Sequence, residues 1–372
     1  MTDNPSVDKG STFPCKNCGA TLVFKPGETS LECPYCGSKN EIIVDPEKIE
    51  QAVKELDYKE FLSKLDTEEK LEEKITVKCT SCGATFSFDE NVTSGSCAYC
   101  GTKIVAQKHS QKQIKPSSIL PFNITKTQAG ENFAKWIKKL RFAPDRLKKL
   151  TGLSNLNGVY MPYWTFDAET VSEYLGERGD YFDQQETYTA TENNKKVTKT
   201  RKVRKIRWEK VRGTIKKLFN DILIIASKSL QNKYIPMLEP WDLDQLVPYD
   251  DQFLSGFQVE SYSVDLKEGF HKAKQKMEGI IRQAIVKAIG GDQQKINAFK
   301  TDYRNLTFKH ILLPLWISAY TFQGKTYQII INARTGEVHG DRPYSKIKIF
   351  FTVATIAAII ALIIFLIIKF TG

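Results

Sequence analysis

The end of the chain constrains it most. Ile349–Ile368 reads IFFTVATIAAIIALIIFLII, twenty residues in which two threonines are the only polar side chains and nothing is charged. As a helix such a run is about 30 Å long, the thickness of a bilayer's hydrocarbon core, and it satisfies its own backbone there. A buried core helix of that length would carry a charge or a polar face. Residues 349–368 are therefore expected to form one transmembrane helix. Only Lys369–Gly372 follow, whereas Arg342, Lys346 and Lys348 precede it. The positive-inside bias then keeps the N-terminal body in the cytoplasm, giving a single-pass cell-membrane protein with a C-terminal anchor. The opening MTDNPSVDKG has no apolar h-region, so no secretory signal is read.

The cysteines organise the other end. All eight precede residue 102, in two groups with one spacing: Cys15, Cys18, Cys33, Cys36 and Cys79, Cys82, Cys97, Cys100. Each cysteine of the second group lies 64 residues after its counterpart, and the copies also match at Gly19-Ala20-Thr21 with Gly83-Ala84-Thr85, Tyr35 with Tyr99, and Gly37 with Gly101. This is internal duplication. Two Cys-x2-Cys knuckles supply four thiolates for a tetrahedral zinc ion and leave no position open for water, so two structural Zn2+ ions are expected rather than catalytic ones. A redox dithiol needs only one pair. The expected zinc ribbons occupy 11–44 and 76–107, with turns at Pro26-Gly27 and near Gly95. Metal binding supplies the folding energy that such small units lack.

Between the ribbons, 45–75 carries eleven acids against six lysines. It reads as an acidic helical linker, N-capped at Asp45-Pro46-Glu47 and running to about Lys74. A polar linker, 108–118, leads into an α+β cytoplasmic domain, 119–346. Thr125 and Gln128 form a capping box for a helix bearing Phe133, Trp136, Ile137 and Leu140. Tyr160-Met161-Pro162-Tyr163-Trp164 matches Leu312-Leu313-Pro314-Leu315-Trp316, which points to two similar α+β subdomains with both tryptophans in the core. Ile222–Ala226 reads as a buried strand. Leu266, Phe270, Ala273, Met277, Ile280, Ala284 and Lys287 step along one helical face until Gly290-Gly291 ends it. Trp316–Phe322 and Lys325–Asn332 form a hairpin. The expected fold class is multidomain α+β: two four-cysteine ribbons, a duplicated body and one membrane helix.

Formal net charge is +11, with a sequence pI of about 9.0. Lys195–Lys217 alone holds twelve Lys/Arg and one acid, so the basic balance is local. With Asn193-Asn194 as a turn, this segment forms a basic hairpin near 185–217. Lys195, Lys196, Lys199, Arg201, Lys202, Arg204, Lys205, Arg207, Lys210 and Arg212 occupy both alternating faces, so neither face is expected to be buried. An anionic lipid surface, nucleic acid and plain solvent are the three candidate environments. No phosphate-binding loop, dinucleotide fingerprint or nucleophile elbow occurs, and the four histidines are scattered. No enzyme is expected.

The Cys-x2-Cys-Gly knuckles, Leu120-Pro121-Phe122, Gly158–Trp164, Asp221-Ile222-Leu223, Leu254–Phe257, Glu260-Ser261-Tyr262, Leu312–Trp316, Asn332–Gly336 and Gly340–Pro343 span nearly the whole chain. Together they resemble a bacterial family of membrane-anchored, TFIIB-type zinc-ribbon proteins, often labelled primosomal or helicase-like. The resemblance implies a non-enzymatic scaffold in the envelope stress response. Such a scaffold helps recruit a cytosolic membrane-remodelling protein of the phage-shock type, with a second membrane protein as a further partner. The missing phosphate loop argues against the helicase label.

Overall fold

The structure is a computed structural model. It describes residues 13–45, 47, 54–64, 71–81, 84–87, 94–97, 99, 101–105, 109–148, 156–192, 195–229, 234–323 and 325–371. Strands β1 (Val23–Phe24), β2 (Ser30–Glu32) and β3 (Lys39–Glu41) form a small antiparallel sheet in the first cysteine module. Strand β4 (Leu56–Asp57) and helix α1 (Tyr58–Lys64) follow. Around the second cysteine group lie β5 (Leu71–Lys78), β6 (Thr85–Ser87), β7 (Ser94–Ser96) and β8 (Lys103–Val105). The body begins with β9 (His109–Ile114), β10 (Ser118–Ile119), α2 (Lys126–Lys139), α3 (Asp145–Lys148), β11 (Asn157–Glu192) and β12 (Lys195–Ile225). It continues through β13 (Val247–Pro248), β14 (Gln258–Glu260), α4 (Leu266–Ile289), β15 (Gln293–Phe322), β16 (Lys325–Asn332) and β17 (Val338–Gly340). Helix α5 (Lys346–Thr371) comes last. Among the described residues, twelve strands join one mixed sheet.

The body is built from the unit β-α-β-β used twice, as the matching pentapeptides indicate. One copy is β10, α2, β11 and β12; the other is β14, α4, β15 and β16. Strands β11 and β15 lie antiparallel, with Tyr160 opposite Pro314 and Pro162 opposite Leu312, so the two pentapeptides are neighbours. Each short leading strand pairs in parallel with the long strand of the other copy. Ser118 and Ile119 meet Ile311 and Leu312, while Gln258 and Val259 meet Val159 and Tyr160. The tryptophans repeat the exchange. Trp164 donates its indole N–H to the Val264 carbonyl at 2.9 Å, and Trp316 donates to the Ile124 carbonyl at 2.7 Å. Val264 and Ile124 each stand just before the N-cap of the other copy's helix, Asp265 and Thr125. Thr125 and Gln128 complete the capping box, and Asp265 accepts the Glu268 N–H at 2.8 Å.

The two cysteine modules pack on opposite faces of the central strands β11 and β15. Leu22, Phe24, Leu31 and Ile42 pack with Phe122, Phe133, Tyr160 and Trp316. Phe86 and Tyr99 pack with Val159, Met161, Leu313 and Leu315. Both grip the short connection between Leu254 and Tyr262. On the first side, Phe24 N–H donates to the Ser255 carbonyl at 3.0 Å and the Ser255 hydroxyl donates to the Leu22 carbonyl at 2.6 Å. On the second, β6 pairs with β14 and Ser261 N–H donates to the Thr85 carbonyl.

Several expectations need correction. Within the helix expected up to Lys74, Tyr58–Lys64 is helical, but Leu56–Asp57 is strand β4 and Leu71 already belongs to β5. Nor is the helix a free-standing linker, because Tyr58 and Phe61 are buried against Phe166 and Phe308. Strand β9 replaces the linker expected at 108–118, pairing with β5 from Thr76 opposite His109 to Leu71 opposite Ile114. That polar stretch lacks apolar alternation, so only its partner strand makes it β. Gly95 lies inside β7 rather than in a turn. The buried stripe of α4 is Leu266, Gly269, Ala273, Met277, Ile281, Ile285 and Ile289; Phe270 and Ile280 flank it. At the expected helix start Asp45 Oδ1 accepts the Glu47 N–H at 3.0 Å, while Pro46, Cys82, Gly83 and Cys100 lie outside the described residues.

Helix α5 extends the expected span by three residues on either side, from Lys346 to Thr371. It is long and apolar enough to cross a membrane, and its apolar stretch is not buried in the protein. Its first turn is held to the body: Ser345 N–H donates to the Phe142 carbonyl at 2.8 Å, and Lys348 Nζ lies 2.5 Å from Asp145 Oδ1.

Candidate metal centre and basic arm

Cys15, Cys18, Cys33 and Cys36 converge so that all four sulfurs lie within 4.8 Å of one another. The Cys15–Cys36 separation is 3.6 Å and the Cys18–Cys33 separation 3.5 Å. A tetrahedral ion with Zn–S bonds near 2.3 Å would set its sulfurs ~3.8 Å apart, so the group can hold a metal ion. Each knuckle is closed by short backbone bonds. Cys15 N–H reaches the Ala20 carbonyl at 2.7 Å and Gly19 N–H the Cys15 carbonyl at 2.8 Å; Cys33 N–H reaches Ser38 at 2.9 Å and Gly37 N–H reaches Cys33 at 3.0 Å. Gly19 and Gly37 take φ of 74° and 72°, the left-handed region that a side chain would strain.

The thiols are not equivalent. The Asn17 N–H, 3.4 Å from its sulfur, lowers Cys15 below the ordinary thiol value. The Ser38 hydroxyl and N–H lower Cys36 to about 6. The Ala20 N–H favours the Cys18 thiolate, but the sulfurs of Cys33 and Cys36 outweigh it and push Cys18 up to about 12. Four sulfurs this close cannot all be anionic without a cation among them.

Around the second group, Cys79 and Cys97 are buried and open turns of the same design. Cys79 N–H donates to the Ala84 carbonyl at 2.7 Å, Cys97 N–H to Thr102 at 2.9 Å and Gly101 N–H to Cys97 at 2.9 Å, with Gly101 at φ 73°. Cys82 and Cys100 lie outside the described residues.

The basic residues fall on a hairpin longer than expected. Past Gly179, which faces Gln293 at the end of β15, strands β11 and β12 run on alone until Glu192 meets Lys195. The two residues between them, Asn193 and Asn194, are those expected at the turn and lie outside the described set. Thirteen residues on each strand, Asp180–Glu192 and Lys195–Arg207, at ~3.3 Å each make this two-stranded arm about 43 Å long. Strand alternation puts Lys196, Lys202, Arg204, Lys210 and Arg212 on one face and Lys199, Arg201, Lys205 and Arg207 on the other, with Lys195 opening β12. Tyr181, Phe182, Tyr188, Val197 and Ile206 are exposed among them. Part of the charge is answered across the strands, since Glu186 lies 2.6 Å from Lys205 and 3.6 Å from Arg201. Nearer the body the expectation of two bare faces fails: α4 covers one, packing on Val211 and Ile215.

A buried polar cluster at the root of the ribbon carries no sequence signature. Here both neighbours of β11 take in an extra residue beside Asp167, and the bulges place Asp221 at φ 52° and Asn305 at φ 46°. Asp167 accepts the Asp221 N–H at 2.6 Å. Lys309 Nζ lies 3.0 Å from Asp221 and 3.5 Å from Glu55. Burial, reinforced by the Glu55 and Asp221 carboxyls, raises Asp167 to about 7. Burial works against the Lys309 charge, but Asp221 and Glu55 outweigh it and hold its pKa above the ordinary value. Because the folded pKa of Asp167 exceeds its unfolded one, this group favours the folded state least at high pH, and stability drains as pH rises from about 4 to 7. Asp167→Asn keeps an acceptor for the Asp221 N–H and removes that penalty. In detergent-solubilised protein it is expected to add about 2 kcal/mol at pH 8 and nothing near pH 4, discounted from the full linkage because neighbouring groups share the proton. Equal thermal shifts at both pH values would refute the assignment.

A curated protein of Bacillus subtilis (strain 168), named Uncharacterized protein YdjG, is similar to this chain. The two are 24% identical over 347 residues, which cover 91% of this chain and 92% of that protein. No family model matches the chain. No solved structure matches it either.

Proposed function

We propose that this protein is a non-enzymatic, tail-anchored adaptor at the cytoplasmic face of the cell membrane. In this reading its cysteine modules are zinc ribbons that help recruit a cytosolic membrane-remodelling protein of the phage-shock type, alongside a second membrane protein. The supporting observation is the joining of two parts in one chain. A helix long and apolar enough to span a bilayer, and not buried in the protein, is fixed through Ser345 and Lys348 to a body that displays a four-thiol cluster. Zinc is the proposed ion because four thiolates in a closed shell suit it and leave no site for chemistry. A second ion, held by Cys79, Cys82, Cys97 and Cys100, is supported by the matching backbone turns at Cys79 and Cys97.

The basic arm is assigned to an anionic lipid surface, where each Lys or Arg contributes ~1 kcal/mol. Its exposed tyrosines and phenylalanine also suit stacking on nucleic-acid bases, which makes a membrane-tethered nucleic-acid binder the second reading.

One comparison separates the two: affinity capture from solubilised membranes, full-length protein against a chain ending at Lys348. Recovery of a peripheral membrane-remodelling protein that depends on residues 349–372 is the expected result. Recovery of ribosomal or replication proteins that nuclease treatment removes would replace the adaptor with the nucleic-acid binder.

A further inference from the structure

The two cysteine modules share a design but not a neighbourhood, and the difference falls on one residue. Tyr99 follows Cys97 by two positions, as Tyr35 follows Cys33. Tyr99 is buried, its ring 5.6 Å from Phe86 and its hydroxyl 3.7 Å from the Met161 sulfur. That hydroxyl also donates to the carboxylate of Glu260, itself buried and hydrogen-bonded by Ser227 at 2.6 Å and by Ser229. Tyr99 is thus the tooth by which the second module bites a carboxylate strand of the body. Tyr35 has no such place. It is 83% exposed, and Ile43, in the same module, is 90% exposed; outside helix α5 no large apolar side chain among the described residues is more exposed.

We propose that the knuckle of the first module, with Tyr35 at its tip, is a docking surface for a carboxylate-bearing apolar segment of a partner protein. This rests on the reading of the modules as protein-binding zinc ribbons and assigns the surface through which the first of them acts. The chemistry follows from the duplicate. A tyrosine at this position packs its ring on an apolar neighbour and gives its O–H to an acid, as Tyr99 does with Glu260. Charge agrees, because exposed Lys16 on the companion knuckle stands where the second module has Thr80 and adds a cation to this module that an acidic segment would meet. An exposed tyrosine is also among the residue types most enriched at interface anchors. The module's other side is committed to the body through Leu22, Phe24 and Leu31, so the knuckles face outward.

The test needs no known partner. A phage-displayed library of random 12-residue peptides is selected on the full-length, zinc-loaded protein in nanodiscs and counter-selected on Tyr35→Ala. Binders lost on Tyr35→Ala are expected to carry Asp or Glu next to apolar residues. Their synthetic versions should weaken at least fivefold on Tyr35→Phe, which removes only the hydroxyl, and at least tenfold on Lys16→Glu. The metal content of every variant should stay that of the parent. The proposal is overturned if no Tyr35-dependent peptide emerges, if those that do lack an acid, or if the knuckle instead binds a 20-nucleotide thymidine strand in a Tyr35-dependent way. The adaptor reading is tested separately by the anchor-dependent capture described above, so either can fail without the other.

Discussion

Cys15→Ser is expected to strip the first module of its metal and melt it. A structural four-thiolate zinc site contributes about 10–16 kcal/mol at neutral pH, and a serine hydroxyl is a poor substitute for a thiolate. The module's own sheet is slight, consisting of strands of two and three residues, so its fold leans on the metal and on the body. The damage should not stay local. Leu22, Phe24, Leu31 and Ile42 complete the apolar cluster around Phe122, Phe133 and Trp316, and melting exposes both sides of that contact. Emission spectrometry should find the chain one zinc short. Hydrogen exchange at residues 13–44 should accelerate by at least a hundredfold while protection at β11 and β15 persists. Unchanged metal content and protection would show that the four thiols hold no structural ion.

Trp164→Ala should cost about 3–5 kcal/mol, the range for deleting a large aromatic from a packed core. Trp164 is fully buried, lies 5.3 Å from the Tyr262 ring and 6.2 Å from Phe308, and reaches helix α4 so closely that a Cβ at Gly269 would come within 2.7 Å of it. Trp164→Phe keeps most of the apolar surface and forfeits the bond to Val264, so about 1 kcal/mol is expected from the lost hydrogen bond, plus a smaller packing loss. The midpoint of urea unfolding in detergent measures both. Near-equal costs for Ala and Phe would mean that the indole N–H, and not the ring, dominates.

The parts legible in the sequence were those whose physics is local or repeated. Cysteine spacing announced the thiol cluster because a tetrahedral ion dictates the spacing of its ligands. Thr125 with Gln128 announced a helix start, since capping is a four-residue affair. Tyr160–Trp164 and Leu312–Trp316 announced a duplication that the sheet displays. What stayed hidden was set by distant partners. The polar run from His109 to Ile114 is a strand only because β5 lies beside it. Lys309, buried between Asp221 and Glu55, is an ordinary surface residue to any reader of the sequence. Tyr35 and Tyr99 occupy equal positions in their repeats, and only the body decides that one is buried and the other is not.

The crossed tryptophans also bear on when this body can come into being. Trp164 waits for a carbonyl 100 residues further along, and Trp316 reaches back 192 residues for its own. Each copy supplies only one of the strands that flank its longest strand, so a nascent chain that has reached Ile225 has β12 beside β11 but still lacks β15 and β14. Closing the centre therefore waits for the second copy, through pairings of high contact order that form slowly by the standard of local hairpins. Until the second copy leaves the ribosome, a long basic hairpin and an unfinished sheet edge stand open, and it is in that interval that the protein most needs a chaperone's shelter.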